Sequence, residues 1–571
     1  MTETPKNKEI FGKLGKYSIS FTQGQYQIGI WVEKLKNDSY LPLVSQRDSQ
    51  REAQKILSGF ELKKGLIVLV MGMASLPLIE MLIKQKQKNG GFIILFEADS
   101  KLAEFISNNF LTGYDDIPII TFNNKDRLSE FLEVYSAAEV TGYRVFSLAS
   151  SKKLAPDFYI ESEIIFKKAF SSLFSDLLTR LEFEPNWIYN SFLQVNNFQK
   201  ALPVKNLFSK GSKLTAALIS TGPSLRGSLE IIKSINDSVF IACVDSAYRV
   251  LYRYGIRPHL IISLDAQPYT TRHFSGLPKG EKNEFPILYA DMVSNPNVVN
   301  NWHGPLFMGI TAQYRGNIRT ITPGCDFIEE QLLKNNPVGD IQSGGSVATS
   351  LFDLLRLMNF ENILLFGQDL AYCFREIHSM GTHHSDKWFS SSTHRLESIE
   401  NINNKVLQKR HISLETSIQN KKIPADYVLS LYGGWLSEAI SQTSINVYNM
   451  TIEGLPVNNT KKILSHDLKK LAKKTLKIDD FISLEKGNTI LNNNEITKFY
   501  KDIAGISFSK DIILEYGFLE KIGRKYFLGA ERKQNDAEKK EKLLEKQYTE
   551  QKKFWDLLRK KSKKILALLD L

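Results

Sequence analysis

Cysteine is scarce in this 571-residue chain: Cys243, Cys325 and Cys373 stand far apart, and no Cys-x-x-Cys pair exists. That argues against a structural zinc ribbon, a dithiol redox centre or a disulfide-built fold, and it suits a reducing compartment, the cytoplasm. An apolar signal region is lacking as well, since residues 1–10 are polar and charged, so secretion by that route is not expected. Long hydrophobic runs are missing: the longest, residues 65–79, is interrupted by Gly72 and Pro77 and falls short of the roughly 20 residues that span a bilayer. No transmembrane segment is expected.

What is present is the composition of a folded globular protein, 42% hydrophobic and 11% aromatic. At about 150 residues per domain, the length suggests three or four units. The net charge of +12 admits nucleic acid, anionic lipid or an anionic substrate as partners. Much of the excess lies after residue 460, in Lys461, Lys462, the cluster 469–474 and the lysine-rich tail. Such runs read as solvated helix faces, so no nucleic-acid partner is expected.

Five regions are predicted. Residues 1–60 alternate polar and apolar around Gly24 and Asn37-Asp38 and read as a small β module. Residues 61–155 read as a Rossmann-like βαβ domain: strand 65–71, a turn at 72–74, helix 76–88, and strand 92–96 closed by Glu97. An acid there can face a ribose, but the glycine fingerprint of a dinucleotide site is reduced to Gly72 alone, so a purely structural domain stays open beside a ligand site. Residues 156–211 form a helical connector, with Phe174, Leu177, Leu178 and Leu181 on one face. Residues 212–460 carry the expected catalytic domain, and 461–571 a basic helical region.

Within 212–460, short apolar runs alternate with helical patterns, which predicts a mostly parallel α/β sheet covered on both faces. The runs are 214–220, 239–244, 260–264, 287–290 and 362–366. All but the first end in polar residues: Asp245, Asp265, Asp291 and Gln368-Asp369. In open parallel sheets ligands bind outside the carboxyl ends of the strands, so this row marks a candidate site; any single Asp could equally cap the following helix.

The first run ends instead in Gly222, Pro223 and Ser224. A glycine there allows close backbone approach, and a serine hydroxyl beside free helix-start N–H groups suits a phosphate. Gly344, Gly345 and Ser346 open another helix and offer the same donors, or else only close helix packing. His378, His383 and His384 lie after the last run; a histidine there can act as general base, and a metal or neither role stays open.

Segments 218–225, 245–247, 255–258 leading into 263–265, 344–347 and 365–370 together resemble an MptE-like domain, and Asn449, Thr451, Glu453 and Gly454 resemble the segment that closes it in flagellin-modifying motility-associated factor (Maf) proteins. The resemblance covers most of residues 60–460. It implies a glycosyltransferase, sialyltransferase-like in its Rossmann-like central domain, that moves a pseudaminic- or legionaminic-type nonulosonic acid from a CMP-sugar to Ser or Thr of flagellin for flagellar assembly and motility. No metal or other cofactor is implied. Gly222, Pro223, Ser224, Asp245, Gly344, Gly345, Ser346, Gln368 and Asp369 would bind the nucleotide sugar, with Asp265, His378, His383 and His384 catalytic. The chain departs from the pattern at His259, where an Asp is usual.

Residues 537–571 place Leu543, Leu544, Leu557, Leu558, Ile565 and Leu569 among lysines, an amphipathic helix expected to pack on its own domain or a partner, including self-association. Two other functions stay open: a magnesium-ATP-dependent 6-hydroxymethylpterin diphosphokinase-like enzyme, and a non-catalytic flagellin-binding protein.

Overall fold

Alternating strands and apolar runs account for most of what a computed structural model shows, and it describes residues 8–23, 28–34, 39–124, 128, 140–277, 286–315, 318–322, 324–392, 398–463, 467–471, 489–531 and 536–569. Gly24, Asn37, Asp38, Lys473 and Lys474 lie outside the described residues. The chain divides into two compact units, Met1–Glu182 and Phe183–Leu571.

In the first unit, β1 (Lys8–Leu14), β2 (Tyr17–Gln23), β3 (Ile28–Lys34) and β4 (Tyr40–Pro42) form an antiparallel meander. Period-two alternation turns Ile19, Ile30 and Val32 inward. A second sheet, all parallel, has the order β7-β6-β5-β8, built from β5 (Leu66–Met71), β6 (Phe92–Phe96), β7 (Ile119–Ile120) and β8 (Gly142–Ser147). The inner strands β5 and β6 are continuous apolar runs because both faces are covered, whereas the edge strand β8 keeps Arg144 exposed. Val68, Val70 and Leu95 share one core with the meander, while Ile67, Leu69, Ile94 and Phe96 pack with Phe158, Tyr159 and Phe166.

The long helix Pro156–Gln194 contains the boundary between the units. In the second unit, a sheet of ten strands runs β15-β14-β13-β12-β11-β10-β17-β20, with β9 and β16 also paired to β14. The members are β9 (Leu202–Pro203), β10 (Thr215–Ile219), β11 (Phe240–Val244), β12 (Leu260–Ser263), β13 (Ile287–Asp291), β14 (Leu306–Arg315), β15 (Ile318–Ile321), β16 (Asp340–Gln342), β17 (Asn362–Phe366) and β20 (Asn446–Asn449). Only β15 is antiparallel to its neighbour. From β10 the chain adds β11 to β14 on one side, then returns to add β17 and β20 on the other. The switch point of the sheet therefore lies between β10 and β17.

The C-terminal helix Ala537–Leu569 packs on helices Asn493–Gly505 and Arg524–Glu531 of its own unit. Trp555 and Leu558 are fully buried in the same core as the sheet, and the Trp555 indole donates to the Ile506 carbonyl at 3.1 Å. No helix among the described residues is long and apolar enough to cross a membrane.

Candidate functional site

Open parallel sheets present ligands with the carboxyl ends of their strands, above all where the strand order reverses. At this sheet's reversal the two flanking loops are bound to each other. The Gly222 N–H donates to the Gly367 carbonyl at 2.8 Å. Asp369 accepts from the Ser224 backbone N–H at 2.8 Å and from its hydroxyl at 2.5 Å, while the Ser220 hydroxyl donates to Gln368 Oε1 at 2.6 Å. A side chain at 222 has no room: its Cβ would lie 2.4 Å from Asp369 Cγ and 2.5 Å from the Gly367 oxygen. Pro223 is buried at the start of the short helix Pro223–Ser228. Burial pushes the Asp369 carboxyl up to about 6 against the pull of its two Ser224 bonds.

Asp245, at the end of β11, is buried and accepts from the Ser263 hydroxyl at 2.9 Å and the Ser246 N–H at 2.7 Å. Desolvation raises it to about 7, with the nearby Asp265 adding to the effect. Asp265, past β12, is half-buried and accepts from the Gln267 N–H and the Tyr269 hydroxyl, each at 2.9 Å.

Gly344, Gly345 and Ser346 follow β16 at the same sheet edge and lead into helix Val347–Leu357. The Ser346 side chain accepts from the Thr349 N–H as its cap. Gly345 has φ +94°, and a Cβ at either glycine would meet Trp435 or Tyr432, so helix Tyr427–Ser441 packs directly on this turn.

His378, His383 and His384 come together with two groups that reasoning from sequence missed, Tyr269 and His273. The His384 ring centroid lies 5.6 Å from His378, 6.2 Å from His383, 5.8 Å from His273 and 5.8 Å from Tyr269. The Ser379 N–H donates to the Thr221 carbonyl at 2.9 Å, and Thr221 Oγ1 is 3.2 Å from Ser246 Oγ, which ties this cluster to the glycine loop and to the end of β11. Asp386 anchors the histidine-bearing helix His383–Ser391 through Arg253 at 2.8 Å and Arg249 at 3.2 Å. Desolvation lowers His273 and His378 to about 4; it also lowers His383 and His384, helped by the Arg272 charge and by the other imidazoles. The neutral form is therefore favoured in all four rings. Among the described residues no His, Cys, Asp and Glu group is arranged to hold a metal.

The signal that could have found the missed pair is the spacing Asp265, Tyr269, His273, one residue in four. That spacing repeats along the loop and the short helix Pro268–Phe274. His259, the departure from the expected pattern, is structural: its Nδ1 accepts from the Ile241 N–H at 3.0 Å and its ring stacks on Phe240.

The first unit carries a comparable turn that is filled. Glu97 is 4% exposed and accepts from the Met73 N–H at 2.9 Å, the Asp99 N–H at 3.2 Å and the Tyr159 hydroxyl at 3.3 Å. A Cβ on Gly72 would lie 2.3 Å from Ser151 Oγ.

Strand order and site together define a doubly wound α/β domain with its polar cluster at the switch point. Within it, residues 189–374, about a third of the chain, match the family model described as 6-hydroxymethylpterin diphosphokinase MptE-like. No curated protein sequence matches the chain. Among solved structures it is similar to a MAf glycosyltransferase from Magnetospirillum magneticum AMB-1, at 13% identity and a TM-score of 0.47, covering 99% of this chain and 92% of that one.

Proposed function

We propose that this protein is a cytoplasmic glycosyltransferase that moves a nonulosonic acid, of pseudaminic or legionaminic type, from a CMP-sugar to Ser or Thr hydroxyls of flagellin, without a metal, in support of flagellar assembly and motility. The observation that carries the reading is the junction of the glycine loop 220–224 with a set of neutral histidines through the Ser379–Thr221 hydrogen bond. In the transfer the acceptor oxygen bonds to the anomeric carbon, the bond from that carbon to the phosphate oxygen breaks, and CMP departs with the electron pair. The acceptor proton passes to an imidazole, a step that suits a histidine kept neutral at working pH. His384, half-buried at the centre of the cluster, is the proposed base. Residues 222–224 and 344–346 are the proposed lining of the nucleotide site by position at the sheet's carboxyl edge, since their backbone N–H groups are already held by Gly367, Asp369, Ser343 and Thr349.

Calorimetric titration with CMP, and separately with magnesium-ATP, tests the reading. Saturable CMP binding, together with transfer of labelled sugar to flagellin that His384→Gln lowers at least about a hundredfold, supports it. Heat with magnesium-ATP and none with CMP would replace it by the diphosphokinase. Flagellin binding with neither nucleotide would leave a non-catalytic partner protein.

A further inference from the structure

A neutral imidazole has one N–H donor and one acceptor nitrogen, and a buried one without a partner costs roughly 1–3 kcal/mol. Two such atoms occur in the histidine cluster: His273 Nδ1, on a residue only 5% exposed, and His383 Nε2. Both rings lie about one imidazole's breadth from His384, at 5.8 and 6.2 Å between centroids. His273 also acts electrostatically on His383, so both unpartnered atoms belong to one cluster, where a ligand would remove the cost.

Three further features at that place fix the sign of the ligand. His383 and His384 begin the nine-residue helix His383–Ser391, so their backbone N–H groups have no intrahelical acceptor and sit at the positive end of the helix dipole. The Thr382 side chain takes only the Ser385 N–H. Arg272, next to His273, is exposed and makes no ion pair among the described residues, and its charge acts on both His383 and His384. Arg249 and Arg253, by contrast, are engaged by Asp386. The nearest carboxylate on the other side, Asp265, is held by Tyr269.

We infer that His273, His383, Arg272 and the first turn of helix His383–Ser391 form an oxyanion subsite, which receives a phosphate or carboxylate of the substrate through imidazole N–H, backbone N–H and guanidinium donors. The inference rests on the proposed transfer only for the source of the oxyanion, since the donor carries both a phosphate and a sugar carboxylate. The subsite assigns a binding role to His383 and leaves His384 as the proposed base.

The test uses the full chain labelled with 13C-histidine, with sulfate as a probe that does not titrate near neutrality. Sulfate is expected to move the ring resonances of His273 and His383 saturably. His273→Gln is expected to weaken that binding about tenfold, the value of one charged hydrogen bond, and Arg272→Gln, on an exposed side chain and so safe for folding, by a similar factor. Resonances that stay still, or sulfate affinity unchanged in both variants, would overturn the subsite.

Two ligand pairs then identify the source: tighter binding of CMP than cytidine assigns the phosphate, and tighter binding of a free 2-keto sugar acid than its methyl ester assigns the carboxylate. No preference in either pair would reduce the feature to an adventitious ion only and overturn the substrate assignment. If CMP fails to bind at all, the CMP-sugar reading falls, while the sulfate and sugar-acid arms still decide the subsite.

Discussion

The two parallel sheets of this chain begin alike and end differently. Each places a glycine turn after a buried inner strand, β5 or β10, and a buried carboxylate that accepts a backbone N–H of that turn: Glu97 from Met73, and Asp369 from Ser224. In the first unit the acid comes from the adjacent strand β6, Tyr159 and the Asp99 N–H complete its bonds, and Ser151 occupies the space beside Gly72. In the second the acid comes from across the switch point, and beyond it stand histidines with unpartnered nitrogens. A polar residue at a strand end therefore does not make a site by itself. At the turns themselves both acids are bonded and neither glycine has room for a Cβ; what separates the two is the histidine cluster beyond the second turn, where His273 Nδ1 and His383 Nε2 have no partner among the described residues.

The largest break in that comparison is expected from the glycines. Gly222→Ala drives a Cβ into the Gly367 backbone and Asp369, and should abolish CMP binding in calorimetry while destabilising the fold by about 2–4 kcal/mol. Gly72→Ala, at φ +102° and against Ser151, should cost a similar amount in urea unfolding yet leave the CMP affinity of the surviving folded protein unchanged. Loss of CMP binding in Gly72→Ala would place the nucleotide site in the wrong sheet.

Next in size is a pH effect. Glu97 is raised to about 7 by burial. A carboxyl whose folded pKa is raised stabilises the fold fully below its unfolded value, near 4.5, and loses that contribution as pH rises through about 7. Glu97→Gln should therefore gain about 1–3 kcal/mol relative to the native chain at pH 8, with the gain fading toward pH 4.5. A difference flat with pH would mean that Glu97 is solvated. Transfer activity should not follow this change. It should instead fall as acid protonates the histidines, a loss read from the pH profile of kcat/KM.

The smallest effect concerns the anchor of the histidine helix. Asp386 pairs with partly exposed arginines, so Asp386→Ala should lower stability by less than about 1 kcal/mol. The same change should loosen His383 and His384 and lower kcat for transfer with little effect on CMP affinity.

Much of the central sheet was legible because its inner strands are buried on both faces. The apolar runs at β10, β11, β12, β13 and β17 match the observed strands to within a residue or so at each end. The outer members were not. β16 and β20 have three and four residues, too few to show a period, and β14 carries Gly309 in its interior and turns polar toward its end. The meander and the first βαβ unit read correctly from alternation and from apolar runs. The glycine loop and the strand-end acids were visible as isolated motifs, but not their mutual bonding, because Ser224 and Asp369 are 145 residues apart. His273 escaped for the same reason: its meeting with His384 depends on how two distant loops cross the sheet edge.

The end of helix Pro156–Gln194 has a practical bearing on how this protein can be cut. The Asn190 amide donates to the carbonyls of Ala266 and Val293, and the Gln194 amide to that of Ser294. Those carbonyls lie in the segments that follow β12 and β13. A fragment started at residue 212 would lose β9, take these donors from the Val293 and Ser294 carbonyls and leave Ala266 only the Asn295 amide, freeing the rim of the crevice to move. One started at 183 keeps the amides in place, so the setting of the segments after β12 and β13 depends on two side chains of a helix that forms no part of the sheet.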